Sequence, residues 1–502
     1  MQTIFRYSIG GTVLSQDIND LVEYGIQKNL IEEEDRQYTI NRILWIFNED
    51  IMENPGDFTL RSLEEILESL VEEASNRGII EGGSRVQKDN FDTEIMNTLS
   101  LKPSQITKKF YKLLENSPKD ATDYFYDYCK NINYIRMDRI LKDYFWEYKS
   151  CYGNLKLIIN LSKPEKSQID IINENKKKLR TYPKCMLCKE NEGYAGGLNY
   201  NSKATLRSIP IDLGGNWYIQ YSPYVYYQEH CIVFSREHKK MIIDRDTFNY
   251  LMDFSEILPH YFIGSNAGLP IVGGSILNHL HYQGGNCELP IFNAKEKVEF
   301  QVKGFEDIKT SILDWPMTTV KIVGKNREKV QKLCEKILKN WENFEFSKED
   351  IIPFDEEGQH STITPILKKS GEYYNFFLIL RNNKTTPDKP FGIFHPSTEY
   401  HNIKKENIGL LEAAGYAVLP GRLKKEKKII EEYMVSGKNL DPEIIIKHSS
   451  LIDLLKDSKK EDFNNSIDEA IGEIFKKILE DCSIFKFNET EGLNKFIQVI
   501  SN

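Results

Sequence analysis

Three stretches in the first third of the chain repeat apolar residues at spacings of three and four: ILWIFNEDIM from Ile43, LRSLEEILESLVEEA from Leu60 and ITKKFYKLLEN from Ile106. That period predicts helices. The pattern changes after Tyr182. Residues 217–220, 230–234, 319–323, 362–367 and 373–380 are short runs rich in β-branched and aromatic residues, which predict strands, the last two joined by a turn at Ser370 and Gly371. The run NREKVQKLCEKILKNWENF returns to the helical period, with Val330, Leu333, Cys334, Ile337, Leu338 and Trp341 on one face. Beyond Gly421 the chain is strongly charged and helical, and Ser466 with Glu469 has the form of a capping box ahead of Ile467, Ile471, Ile474, Phe475 and Ile478. Mixed strands with hairpins and few βαβ repeats point to an α+β fold rather than a doubly wound sheet. The expected organisation is a helical N-terminal region (1–180), an α+β core (181–424) and a charged helical C-terminal region (425–502).

Composition narrows the class. At 502 residues with 40% hydrophobic, 28% charged and 12% aromatic residues, the chain can bury a large core and is expected to be globular. It has no apolar run of about 18 residues, and MQTIFRYSIGG at its start lacks a signal-peptide core, so no membrane partner is expected and a cytoplasmic location is. A net charge of -9 disfavours a broad grip on nucleic acid.

The densest chemistry lies in Gly264 to Gly285, GSNAGLPIVGGSILNHLHYQGG, where six of the 30 glycines fall within 22 positions. Glycine lets the backbone approach a ligand closely, and Ser, Asn and Gln offer neutral hydrogen bonds to phosphate oxygens. Asn266, Ser275 and the backbone at Gly273 and Gly274 are therefore candidates for holding phosphates. In an extended strand His279, His281 and Gln283 share a face. The paired histidines could be satisfied core residues, could share one metal ion, or could divide the work, one on a structural metal and one attacking phosphorus.

The eight cysteines do not form a disulfide scaffold, and only Cys185 and Cys188 are closely paired. A redox pair would open a helix after a strand, whereas Pro183 precedes this pair and GYAGG follows it. Half of a zinc site is the better reading. Near the end of the core, His395, Glu399 and His401 could bind a second metal, and Lys404 and Lys405 could meet a sugar phosphate, although such clusters are more often solvated loops.

In these motifs the chain resembles the galactose-1-phosphate uridylyltransferases, in which a His-x-His-x-Gln strand carries the nucleophile. The match to the longer bacterial type 2 branch extends through RQYTINRIL at Arg36, FDTEIMNTL from Phe91, ATDYFYDYCKNINYIRMDRI from Ala121, LIINLSKPEK from Leu157, YPKCMLCKENEGYAG from Tyr182, QYSPYVYYQEHCIVF from Gln220, WPMTTVKI from Trp315 and FGIFHPSTEYHNIKKENIGLLEAAGYAVLPGRL from Phe391. The sequence departs from that branch at Leu280 and Gly268, where Asp is usual. Neither change touches the histidines, and on a strand Leu280 would face away from them.

The resemblance implies a histidine-triad-like core, an antiparallel sheet flanked by helices. It implies structural zinc on Cys185, Cys188, His238 and His279, with His230 beside Glu229 as a rival for the fourth place. It also implies transfer of UMP from UDP-glucose to galactose 1-phosphate, with His281 as nucleophile and Gln283 as a neutral donor to the phosphoryl group. Shorter family members pair as dimers, so a homodimer is an expectation too. A hydrolase or phosphorylase of the same superfamily, or a relative that binds nucleotide without turnover, are the competing outcomes.

Overall fold

The computed structural model describes residues 10–80, 83–162, 182–197, 200–274, 276–438, 441–456, 463–486 and 490–502. The chain divides into two compact units. The first takes Met1–Asp138, Arg180–Pro210 and Tyr218–Pro223; the second takes Arg139–Leu179, Ile211–Trp217 and Tyr224–Asn502.

Unit 1 is mainly helical, with helices at Gly10–Gln27, Arg36–Ile46, Leu63–Asn76, Arg85–Asn97, Pro103–Leu114 and Pro118–Asn131. Ser62 and Ser84 each accept from the backbone N–H three residues on, while Glu65 and Gln87 reach back, so two of the starts are closed by capping boxes. The stretch from Ile43 was expected to be helical as far as Met52, but its helix ends at Ile46. Asn48 takes a left-handed φ of 50° there, a conformation Asn tolerates and a continuing helix does not. Buried Asp17 and Asp20 meet the Arg61 guanidinium at 2.7 and 2.5 Å. Arg136 grips Asp92 with two bonds of 2.6 Å.

Unit 2 opens with the hairpin β1 (Tyr144–Ser150) and β2 (Gly153–Asn160), which interrupts the helical reading of the first 180 residues. The Lys-rich run from Ile172 lies outside the described residues. Strands β3 (Ile209–Asp212) and β4 (Asn216–Tyr221) carry residues of both units. Then follow β5 (Cys231–Ser235), β6 (Phe262–Gly264), β7 (His281–Gly285), β8 (Glu296–Phe300), β9 (Lys309–Leu313) and β10 (Thr319–Gly324). A small hairpin, β11 (Phe354–Asp355) and β12 (Gly358–Gln359), precedes the long hairpin β13 (Ser361–Ser370) and β14 (Tyr373–Asn382), and β15 (Tyr416–Pro420) comes last.

Over the strands that lie wholly in unit 2, the ten-stranded main sheet runs β5-β7-β6-β13-β14-β10-β9-β8, with every one of these pairings antiparallel. It is flanked by helices, as the α+β reading requires. The Arg327–Glu342 helix buries Val330, Leu333, Cys334, Ile337, Leu338 and Trp341, the six residues that share its apolar face. The Trp341 indole N–H also donates to the carbonyls of Thr362 (2.8 Å) and Arg381 (3.0 Å), which fastens the helix to β13 and β14. After Gly421 the chain is helical, but Ser466 caps nothing: it lies inside the Phe463–Asp481 helix. The apolar positions expected of that helix, Ile467, Ile471, Ile474, Phe475 and Ile478, are all fully buried.

Candidate active site

Strand β7 is central, paired with β5 on one side and β6 on the other, and this fixes His281 and Gln283. Phe234 faces His281, Ile232 faces Gln283, and Gly264 faces Gln283 from β6. Residues two apart on a strand share a face of the sheet, so both candidate side chains project to the same side. Tyr282 projects to the other and stacks on Trp217 at 5.3 Å, anchoring the strand from behind. The expectation of one strand spanning 279–283 needs correction: β7 begins at His281, and His279 sits in the bend before it. The backbone of Leu280 is held there by hydrogen bonds, its N–H to Lys239 (2.7 Å) and its carbonyl from Ser235 (3.1 Å). Its side chain is buried.

His281 is 5% exposed. Its Nδ1–H donates to the carbonyl of His279 at 2.8 Å, which leaves Nε2 with the lone pair. Its backbone N–H reaches Met241 Sδ at 3.3 Å. Burial pushes the imidazole down to about 4, against the bond to the His279 carbonyl and with a smaller contribution from the His279 ring beside it. The ring is thus neutral at physiological pH, as a nucleophile must be.

The candidate phosphate loop is closely folded. A Cβ on Gly273 would stand 2.2 Å from the Ala267 carbonyl, so no other residue fits without moving the backbone. Asn266 is buried, and its Oδ1 accepts the Leu410 N–H at 2.8 Å, while its Nδ2 lies against Gly274. Only the amide N–H end of Asn266 is therefore left to face a ligand. Ser275 lies outside the described residues. Gly268 has the Met241 carbonyl 3.3 Å from where a Cβ would be.

Cys185 and Cys188 bracket a tight turn in which the Cys188 N–H donates to the Cys185 carbonyl (3.3 Å) and Asn191 donates to both cysteine carbonyls (2.8 Å each). Their sulfurs are 3.6 Å apart. Two thiolates on one tetrahedral zinc, each at about 2.3 Å, would be separated by about 3.8 Å. His238 follows β5, and its ring lies 5.0 Å from that of His279, close to the roughly 5 Å expected of two imidazoles on one tetrahedral ion. His279 Nε2 lies 2.7 Å from the Ser235 carbonyl. A proton on that nitrogen leaves Nδ1 to act as a ligand, the usual arrangement behind a metal-bound His. Each of the four offers one ligand atom, and together they make a donor set that could hold a metal ion.

Other clusters come out differently. His230 does not join that set. Its ring is stacked on Tyr226 and tilted against Tyr227 instead. His395, Glu399 and His401 do not form a donor group among the described residues; His401 Nε2 lies 3.1 Å from the Pro396 carbonyl. Lys404 is buried on Glu412 at 2.9 Å, and Lys405 is exposed. Sequence reasoning missed Asp355, Glu357 and His360, which do converge, but Lys384 already supplies their counter-charge through Asp355 and, at 3.7 Å, Glu357. It also missed Met241 and Ser235, whose contacts with the two histidines depend on backbone geometry that no motif signals.

Models of the N-terminal and C-terminal domains of galactose-1-phosphate uridyl transferase match residues 29–240 and 255–450. A galactose-1-phosphate uridylyltransferase of Clostridium acetobutylicum is 42% identical over 97% of this chain and 100% of its own. Proteins of the same name from Clostridium perfringens (43%; 95% of this chain, 97% of that one) and Fusobacterium nucleatum (41%; 97% and 98%) are similarly close. Among solved structures, yeast Ap4A phosphorylase Apa2 is matched at 12% identity over 59% of this chain and 86% of that one, with a TM-score of 0.31.

Proposed function

The chain belongs to the galactose-1-phosphate uridylyltransferase family, and on that premise we propose that it is a nucleotidyltransferase that moves UMP from UDP-glucose to galactose 1-phosphate through a covalent uridylyl-histidine on His281. The observation that carries this is the buried His281 ring, neutral and with Nδ1 committed to the His279 carbonyl. In the first step Nε2 attacks the α-phosphorus; the P–N bond forms, the P–O bond to glucose 1-phosphate breaks, and that product leaves. In the second, a phosphate oxygen of galactose 1-phosphate attacks the same phosphorus, the P–N bond breaks and UDP-galactose forms. The incoming phosphate is already ionised, so no strong general base is needed. Gln283 donates to a non-bridging oxygen as charge shifts onto it, and the Asn266 amide N–H with the backbone of Gly273 and Gly274 steadies the phosphates. Ser275 belongs to the same proposal by sequence.

Cys185, Cys188, His238 and His279 would hold a zinc ion, which supplies no reacting group and ties the bend before β7 in place. The donor chemistry supports zinc: two sulfurs and two imidazoles, each pair at the spacing a tetrahedral ion requires. Elemental analysis of Cys188→Ser against the parent tests it, with loss of about one zinc per chain expected. The charged substrates go with a cytoplasmic enzyme; no helix among the described residues is long and apolar enough to cross a membrane. The homodimer is carried by resemblance alone, and light scattering decides it.

Intact mass after incubation with UDP-glucose tests the reaction. A gain of one uridylyl group, absent in His281→Ala and discharged by galactose 1-phosphate, is expected. No adduct on a protein that still binds UDP-glucose would overturn the covalent scheme.

A further inference from the structure

His230 is a buried imidazole for which the reaction above has no use. It sits immediately before β5 and is 3% exposed, with its ring stacked on Tyr226 (centroids 5.1 Å apart, 28°) and tilted against Tyr227 (4.7 Å). Neither ring nitrogen has a hydrogen-bond partner in this arrangement. An imidazole always carries at least one N–H, and a buried donor calls for an acceptor.

Register shows which acceptor is at hand. Cys231 faces Gly284 and Ile232 faces Gln283 across the β5–β7 pair. One step back, His230 comes level with Gly285, whose φ of 147° and the Glu229 carbonyl, 2.5 Å from a would-be Cβ, exclude a side chain. The place of that missing side chain is taken by the Glu229 carbonyl and the Tyr227 ring, 2.9 Å from a would-be Cβ, so Gly285 puts no side chain of its own between His230 and Gln283, which lies on the same face of β7. The electrostatics agree: burial pushes His230 down to about 4, and the Gln283 side chain is what acts against it.

We infer that His230 is a positioning residue for Gln283, its N–H donating to Oε1 and turning the amide so that both of its N–H bonds face the phosphoryl oxygens. This rests on the uridylyl-transfer reading. The two ends of a glutamine amide have nearly the same shape and opposite hydrogen-bonding sense, so an unheld Gln283 would present its oxygen to a phosphoryl oxygen part of the time. A neutral imidazole between two tyrosines removes that choice without adding a charge that would hold substrate and transition state alike.

The test combines rapid-quench rates of His281 uridylylation with side-chain amide spectra of glutamine-labelled protein, in which Gln283 is assigned by its loss in Gln283→Ala. His230→Phe keeps the stacked ring and removes the N–H. It is expected to slow uridylylation about 10- to 100-fold while the Kd for UDP-glucose changes less than threefold. In a Gln283→Ala background the same change should slow it by no more than about twofold. The Gln283 amide protons should exchange faster in His230→Phe, and His230→Asn or His230→Gln, which restore an N–H, should recover much of the rate. Equal slowing in both Gln283 backgrounds, or an unaltered Gln283 amide, would overturn the assignment. If the parent forms no uridylyl-histidine, the transfer reading fails separately, and the amide spectra still decide whether His230 holds Gln283.

Discussion

The face of the sheet around β7 and the helical layer beyond Gly421 both bury histidines, in opposite electrostatic settings. His230 and His281 have aromatic rings, a thioether and a backbone carbonyl around them, and burial pushes both down to about 4. His448, fully buried, has its Nε2 2.8 Å from Glu426 and its Nδ1 3.1 Å from the Asn402 amide. Burial works against the Glu426 carboxylate, yet His448, Lys447 and Arg422 hold it down to about 2. In His448 a carboxylate and an amide take up both ring nitrogens; in His281 a carbonyl on Nδ1 leaves the other nitrogen's lone pair intact. The first arrangement fastens helices together, and the second can attack phosphorus.

The largest effect that would break this contrast is on rate. His281→Ala should lower uridylylation by at least about 10⁴-fold in single-turnover assays and leave the melting temperature within a few degrees. Survival of the adduct would show that the nucleophile lies elsewhere.

Acid titration separates the two regions next. His230 is depressed from 6.5 to about 4, so the unfolded chain takes up its proton first, and stability should fall as pH drops from about 6.5 to 4, by on the order of 3 kcal/mol. His230→Phe should remove about that much of the fall in denaturant titrations and leave the part due to His281, which burial depresses over the same interval. Glu426 is depressed from 4.5 to about 2, so its contribution is present above 4.5 and is lost as pH falls through 2; Glu426→Gln should lessen the fall in this lower window and leave the upper one unchanged.

His448→Ala removes one partner of a buried carboxylate and should cost about 2 kcal/mol in urea unfolding, with uridylylation by the folded protein within twofold of the parent. A large loss of activity would show that the two regions are coupled. The smallest effect is expected at Lys447, whose 2.6 Å bond to Glu426 is half-exposed; Lys447→Ala should cost about 0.5 kcal/mol.

The Arg327–Glu342 helix was legible in the sequence because it has one wet and one buried face, which periodicity reports directly; the hairpin β13–β14, buried on both faces over most of its length, was legible instead from its β-branched and aromatic runs on either side of the Ser370–Gly371 turn. His281 and Gln283 were legible because the strand period sets them on one side. The break before β7 was not. Leu280 and His279 have side chains suited to a strand, and what ends it is the set of backbone bonds from Lys239 and Ser235, residues some 40 positions away. Ser466 misled for a related reason: Ser-x-x-Glu occurs inside helices as well as at their starts, and residues 463–465 continue the helix toward the N-terminus. His230 read as a rival metal ligand because its partners, two tyrosines and a glutamine on another strand, meet only in the folded sheet.

Strand β15 lies parallel to β2, with Val418 level with Ile158 and Leu419 with Ile159. The two are separated in the chain by most of unit 2, and β2 has an open edge until its partner arrives. At ordinary synthesis rates of about 5–20 residues per second, a nascent chain waits roughly 13 to 50 s between emergence of the two strands. Through that interval the apolar side of β2, Leu155, Leu157 and Ile159, all fully buried in the finished protein, is uncovered along that edge. Closure of that edge therefore waits until most of unit 2 has been made, and the edge of β2 is where a chaperone would be needed first.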